Sequence, residues 1–389
     1  MSLRGYVVRH RQWTIIAGVL IILLIAIVVP LLLLHAAVQP VAFEPENGSP
    51  SSHVGMITDA TASNGKAVQF TAGGGGSACA STATRICYNG TQWFMNGVNV
   101  PWYNWGADFG GTTGGGVTST KAALATSFAT LKADNVHVVR WWLFEGGANQ
   151  ITRDSSGKPT GISPGVYTDI DAALDLANTY DLYYTFTIFA AADDFPATWR
   201  TDATQRTQLA QVLAPLFARY KDNPHVMTWE IFNEPEWQID GTNVKQDDVK
   251  NMARAIITQI RSNAPSKLVT VGQNLINAIP IWTDVDLDYY SPHWYDNHTS
   301  ADICALCTTA GALQTKYHTT KPILIGEYSM VQGGTAQQNV DRQNKWYNQG
   351  YAGAWGWSLL FDHTNDRIQV YPDTMKTFDA QHTDIGPHQ

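Results

Sequence analysis

Charge is what this chain has least of. Asp, Glu, Lys and Arg make up 15% of its 389 residues, against about 25% in an ordinary soluble domain. The net charge is −8, so the clustered basic surface that phosphate contacts need is missing and no nucleic-acid partner is expected. With 44% hydrophobic residues the chain is not disordered. The run Gly114-Gly115-Gly116 lacks the G-x-G-x-x-G spacing of a dinucleotide-binding turn. No His-x-His pair closes an apolar run, so the signature of a metal-dependent hydrolase barrel is absent; no cofactor and no metal are expected. Cysteine is sparse: Cys79 and Cys87, then Cys304 and Cys307 as C-x-x-C. Four cysteines allow three pairings, of which the local one, Cys79–Cys87 with Cys304–Cys307, is preferred. A four-cysteine zinc site needs two close pairs, and the 79/87 spacing is wrong for it.

Two things are plentiful. The first is an uncharged run, Trp13–Leu34, 22 residues long. About 20 residues cross a bilayer as a helix, whereas the apolar core of a cleaved signal spans about 7–15. The run therefore reads as a retained transmembrane signal-anchor. Arg4, Arg9 and Arg11 precede it and no acidic residue occurs before Glu44, which sets residues 1–12 in the cytoplasm and the rest outside. Cleavage after the run would instead release a secreted protein. Residues 35–77, with Pro40, Pro45, Pro50 and Gly73–Gly76, read as a flexible tether with room for a short strand at Ala67–Phe70. Residues 78–389 read as one folded domain, expected to be monomeric. The second plentiful thing is tryptophan, with 14 residues.

Within the domain, apolar runs alternate with amphipathic stretches. Strands are expected at Gly97–Pro101, Val136–Trp142, Tyr183–Phe189, Met227–Phe232, Leu268–Val271, Tyr289–Tyr295, Ile323–Gly326 and Gly353–Leu359. Helices are expected at Ser119–Asp134, Val166–Tyr180, Asp202–Tyr220, Val244–Ser262, Asp302–Tyr317 and Gln337–Gln349. This is the grammar of an α/β protein with a (β/α)8 TIM barrel. A doubly wound sheet is the competitor, but its phosphate-binding turn is replaced here by Trp102-Tyr103-Asn104-Trp105.

Barrel chemistry sits at the C-terminal ends of strands. The second strand carries Arg140; the fourth runs into Asn233-Glu234-Pro235; the sixth ends in His293-Trp294-Tyr295; the seventh in Glu327; the eighth holds Trp355 and Trp357. A carboxylate closing an apolar strand is costly unless it is paired or used. Strands four and seven oppose each other across an eight-strand barrel, so Glu234 and Glu327 can face one another. Facing carboxylates are the machinery of glycosidases, about 5–5.5 Å apart for retention and about 6.5–9.5 Å for inversion. Glu230, four residues earlier on strand four, points inward but deeper and reads as a buried structural partner. A structural ion pair with Arg140 is the bland alternative for the two glutamates.

W-x-x-x-N-E-P on one strand, H-x-Y on a later one and an apolar run ending in G-E on the next resemble clan A glycoside hydrolases, most like family 5. The resemblance covers about Trp93 to Gln381. It implies a retaining mechanism with Glu234 as acid/base and Glu327 as nucleophile. It implies that Asn233 binds the sugar 2-hydroxyl, that Arg140 and Tyr295 hold Glu327, and that His293 lines the −1 subsite. Trp357 would floor that subsite, with Trp355 as the alternative. Many family members carry a His near the end of strand three; here residues 185–190 read Thr-Phe-Thr-Ile-Phe-Ala, which resembles mannanase-like members more than cellulases. The implied substrate is a β-mannan or β-glucan polysaccharide, cleaved internally. Trp102, Tyr103, Trp105, Trp199, Trp237 and Trp282 follow strands and are expected to stack on sugar, and Glu145 is a further candidate contact. The rival from another class is a non-catalytic cell-surface carbohydrate-binding protein on the same barrel.

Overall fold

The computed structural model describes residues 54–58, 66–70, 79–111, 115–241, 244–330, 335–359 and 373–386. The chain divides after Gly76. In the first part Val54–Thr58 pairs antiparallel with Lys66–Phe70, so the stretch read as a tether carries a strand pair that includes the strand anticipated there. The Trp13–Leu34 run lies outside the described residues. Among the described residues no helix is long and apolar enough to cross a membrane.

In the second part eight parallel strands close into the expected barrel: β1 Met95–Asn99, β2 Val138–Phe144, β3 Tyr183–Phe189, β4 Val226–Asn233, β5 Leu268–Gln273, β6 Ser291–Trp294, β7 Ile325–Ser329 and β8 Gly353–Trp357. Each strand pairs with its sequence neighbours, and β8 closes on β1. Helices Val117–Ala133, Pro164–Tyr180, Ala203–Tyr220, Gln246–Asn263 and Ala336–Asn348 lie within two residues of their expected bounds. The Asp202 side chain caps its helix through Gln205 N–H at 2.8 Å. The stretch 302–317 departs from expectation. Cys304 and Cys307 are disulfide-bonded, a 3-10 turn occupies Ala305–Cys307, and the helix proper is only Ala310–Lys316, capped by Thr309. Cys79 and Cys87 form the other disulfide, so both pairs are local as preferred.

Every residue of β2 and β4 is buried, as parallel strands covered on both faces require. Trp141, Tyr184, Phe186 and Trp229 pack in the large cluster shared with the helices. The inward faces are layered by depth. Met95, Val138, Met227, Tyr289, Leu324 and Trp355 form a separate apolar cluster with Tyr88 and Trp93. Tyr88 and Trp93 come from a hairpin, Ile86–Tyr88 with Thr91–Trp93, that leads into β1 and closes the N-terminal end of the barrel. The Tyr88 hydroxyl donates to the carbonyls of Pro224 and Val226 at 2.7 and 2.9 Å, at the start of β4. Above this plug the inward positions turn polar: Asn99, Arg140, Thr187, Glu230 and His293 are all fully buried. Trp355 thus belongs to the bottom of the barrel and cannot floor a sugar site, which corrects the alternative raised for it.

The plug depends on one close approach. A Cβ on Gly97 would lie 2.6 Å from both Trp355 Cδ1 and the Val138 carbonyl oxygen. Overpacking of this kind costs about 1–3 kcal/mol, so Gly97→Ala should lower the denaturant midpoint accordingly. An unchanged midpoint would show that both the Trp355 indole and the β2 backbone at Val138 can give way.

Candidate active site

Register places the polar layer. Arg140 pairs with Asn99 on β1, Glu230 pairs with Thr187 on β3, and His293 pairs with Glu327. Arg140 is the hub. Its Nε and Nη2 donate to Glu230 Oε1 at 2.8 and 2.6 Å. Its Nη1 donates to Glu327 Oε1 at 2.6 Å and to Asn99 Oδ1 at 2.9 Å. Nη2 also reaches Asn233 Oδ1 at 2.7 Å. All five hydrogen bonds are charge-assisted, which makes them the strong kind. A glycine makes the packing possible: a Cβ on Gly272 would lie 2.9 Å from Arg140 Nη2. Glu230 accepts further from Thr187 Oγ1 at 2.9 Å, so it is the buried partner that the sequence suggested.

Glu327 is held at both oxygens. Opposite Arg140, the Tyr295 hydroxyl donates to Oε2 at 2.7 Å. Burial raises the Glu327 carboxyl above its ordinary value, while His293, Arg140 and the Tyr295 hydroxyl pull it the other way. Glu234 ends β4 in the left-handed region at φ 43°, a conformation that costs a non-glycine residue about 1–3 kcal/mol. Its N–H is fixed on the Gly272 carbonyl at 2.7 Å. Its Oε1 lies 2.8 Å from His293 Nδ1, and its Oε2 accepts from Trp237 Nε1 at 3.0 Å. Burial pushes Glu234 up to about 7, against the lowering pull of Trp237 and Arg140. His293 is pushed down to about 4, chiefly by burial, so it is neutral at pH 7 and adds no charge between the two carboxyls.

Ligand atoms of Glu234, His293 and Glu327 lie within 4.8 Å of one another. Such a set is able to ligate a cation, but its carboxylate oxygens already take the Arg140, Tyr295, Trp237 and His293 nitrogens and hydroxyl. The arrangement suits proton transfer and nucleophilic attack, with one carboxyl protonated near neutrality and the other oriented by two donors.

The aromatics divide. Trp357 is half-buried at the end of β8, where it pairs with Ser329 two residues past Glu327. Its ring lies 6.0 Å from Trp142 and 6.3 Å from Trp102, and Arg140 sits 5.7 Å over the Trp142 ring. Trp105 joins Trp102 edge-on at 4.5 Å and is 54% exposed. Trp237 is 50% exposed on the β4 side. Two expected sugar platforms are not platforms. Trp199 is fully buried against Phe195 and donates to the Gly157 carbonyl. Trp282 is fully buried and donates Nε1 to Glu236 Oε1 at 2.5 Å. Each loop folds back so that its indole N–H meets an internal acceptor, which strand-end position alone does not reveal. Tyr103 is half-buried against the main core. Trp294 packs behind its strand on Trp346. Glu145 accepts from Gly106 N–H at 2.9 Å, and burial pushes it up to about 9. It braces the loop that carries Trp105.

Asn99 and Glu236 escaped the sequence reading. Asn99 closes the apolar run of β1, the same signal that marked Arg140 on β2. Glu236 follows a strand and carries no such signal.

These strand-end groups stand where comparison with known proteins places a family. The cellulase (glycosyl hydrolase family 5) profile matches residues 83–362. A mannan endo-1,4-beta-mannosidase of Mytilus edulis is 23% identical over 353 residues, covering 78% of this chain and 94% of that protein. One from Cryptopygus antarcticus is 25% identical over 355 residues, covering 76% and 87%. The solved beta-mannanase from blue mussel Mytilus edulis shares the fold, with a TM-score of 0.65 at 20% identity over 79% of this chain and 97% of that one. The matched span contains all eight barrel strands and both strand-end glutamates, and the chain belongs to glycosyl hydrolase family 5.

Proposed function

We propose that the protein is a retaining endo-β-1,4-mannanase that works by double displacement. The observation that carries the reading is the contrast between two carboxyls within 4.8 Å of one another. Glu327 is gripped by Arg140 and Tyr295, while Glu234 is raised to about 7 and reaches solvent through a side chain 22% exposed. That closeness supports retention rather than inversion, which needs room for a water between the groups.

In the first step Glu327 Oε attacks the anomeric carbon of the −1 sugar. The bond to the glycosidic oxygen breaks, and that oxygen takes the Glu234 proton and leaves as the new hydroxyl of the departing chain. In the second step Glu234, now a carboxylate, removes a proton from water, which attacks the same carbon and releases Glu327. Arg140 supports the first step by favouring the charged form of Glu327 against the effect of burial and by aiming it. Asn233 has its Oδ1 committed to Arg140, so its amide nitrogen is the donor offered to the 2-hydroxyl, where hydrogen bonds strengthen toward the transition state. Trp357, with Trp102 and Trp142 behind it, supplies the apolar face for the sugar ring.

The choice of mannan over glucan rests on the names borne by the relatives in Mytilus edulis and Cryptopygus antarcticus, together with the β3 sequence that lacks a His. Exposed rings at both ends of the carboxyl pair, Trp105 and Trp237, suit a chain bound on both sides of the cut and hence internal cleavage. A polymer of this kind is met outside the cell, which agrees with export by the Trp13–Leu34 run, retained as an anchor. A binding protein without activity would have no use for an acid raised toward neutrality beside a clamped carboxylate.

Glu327→Ala should abolish turnover without unfolding the barrel. Sodium azide should restore part of it and yield the α-glycosyl azide, because azide takes the place of the nucleophile on its own face; near wild-type activity without azide would refute the assignment. Against a panel of mannan, glucomannan and mixed-linkage β-glucan, the first two should be cut to short oligosaccharides. Preference for the glucan would refute mannan as the substrate.

A further inference from the structure

Trp237 takes no part in the double displacement just described, yet it touches the group that does. Its indole Nε1–H lies 3.0 Å from Glu234 Oε2, and half of the side chain faces solvent. The indole is held rigidly. It stands on the short helix Glu236–Gly241, whose first residue is anchored from below: Glu236 accepts from Trp282 Nε1 at 2.5 Å and from Asn274 N–H at 2.9 Å. Gln238, the residue after Trp237, accepts from Ala192 N–H at 3.2 Å, tying the helix to the β3 loop. Trp237 N–H closes the turn on the Glu234 carbonyl at 3.3 Å. Two buried contacts therefore fix one exposed ring beside the acid.

The ring also lies on one particular side. Trp357, Trp102, Trp142 and Trp105 form a continuous set around β8, β1 and β2. Trp237 is separate from them, beyond Glu234 on the β4 side. The acid that protonates the leaving oxygen must face the leaving sugar, so the ring next to that acid faces it too. Resting on the functional reading above, we propose that Trp237 is both a positioning residue for Glu234 and the stacking platform for the first sugar of the departing chain, its N–H holding Oε2 while its open face receives the ring.

The coupling has a sign. A donor to a carboxylate favours the charged form. Glu234 is also faced by His293 and His298 from β6 and its loop, by Tyr295, by Arg140 from β2, by Glu327 from β7 and by Glu236 from its own helix. None of these is replaced when Trp237 becomes Phe, which keeps a smaller apolar face and deletes the N–H. Glu234 should then hold its proton to higher pH, and the basic limb of kcat/KM, expected near pH 7 in the wild type, should move up by about half a unit or more. Trp237→Ala deletes the platform as well. On mannohexaose its kcat/KM should fall about tenfold or more, a loss several-fold larger than on β-mannobiosyl fluoride, whose leaving group is no sugar and needs little help from an acid.

The test is these two variants on these two substrates, with the thermal midpoint of each recorded and Glu234→Ala run alongside. A Trp237→Phe limb that does not move, or a Trp237→Ala loss equal on both substrates, would overturn the proposal while leaving the functional reading intact. An active Glu234→Ala would overturn the functional reading itself. A merely structural tryptophan would lower the midpoint and depress both substrates alike, with no shift in the pH limb.

Discussion

One buried cation organises this barrel. Arg140 is fully buried and carries Glu230 on one edge of its guanidinium and Glu327 on another. Removing a charge of this kind from water costs several kcal/mol unless every donor finds a partner. Here the donors go to Glu230, Glu327, Asn99 and Asn233, from three different strands. The planar fork of arginine fixes the angles between those partners in a way a lysine would not. Removing Arg140 would leave two carboxyls buried without a counter-charge, so the group that orders the site also ties the upper barrel together.

The division of labour between the two glutamates follows from what Arg140 reaches. Glu327 lies in direct contact with it and with the Tyr295 hydroxyl. Glu234 feels it only at longer range, and at both carboxyls burial is the largest influence on the proton. Burial raises both carboxyls, and what sets them apart is contact: Glu327 is clamped at both oxygens, whereas the Glu234 side chain stays partly exposed. The neutral His293 between them adds a contact to each without adding charge.

Much of this was legible in the order of the residues. A polar or charged residue closing an apolar strand cannot be explained by the core, and that mismatch marked Arg140, Asn233, Glu234, His293 and Glu327 together. Alternation marked Glu230 as inward but deeper. Depth was the harder quantity. Trp355 and Trp357 are two residues apart and share a face, and only the pairing of β8 with β1 and β7 shows that the first belongs to the bottom plug and the second to the mouth. Loops were harder still. Trp199 and Trp282 follow strands as Trp237 does, but nothing periodic in a loop tells a ring turned to solvent from one folded back onto an internal acceptor. The low charge and the tryptophan excess that mark the composition resolve along the same line: some rings are core, and the exposed ones flank the carboxyl pair.

The central claim is that Glu327 attacks directly and Glu234 serves it, so the configuration at the cut bond is retained. The most direct measurement follows the anomeric proton of the first-formed reducing ends by NMR during hydrolysis of a β-mannooligosaccharide, before mutarotation equilibrates them. The account predicts the β-anomer first, with the α-anomer growing in afterwards at the mutarotation rate. Initial release of the α-anomer would mean a single displacement by water and would contradict it.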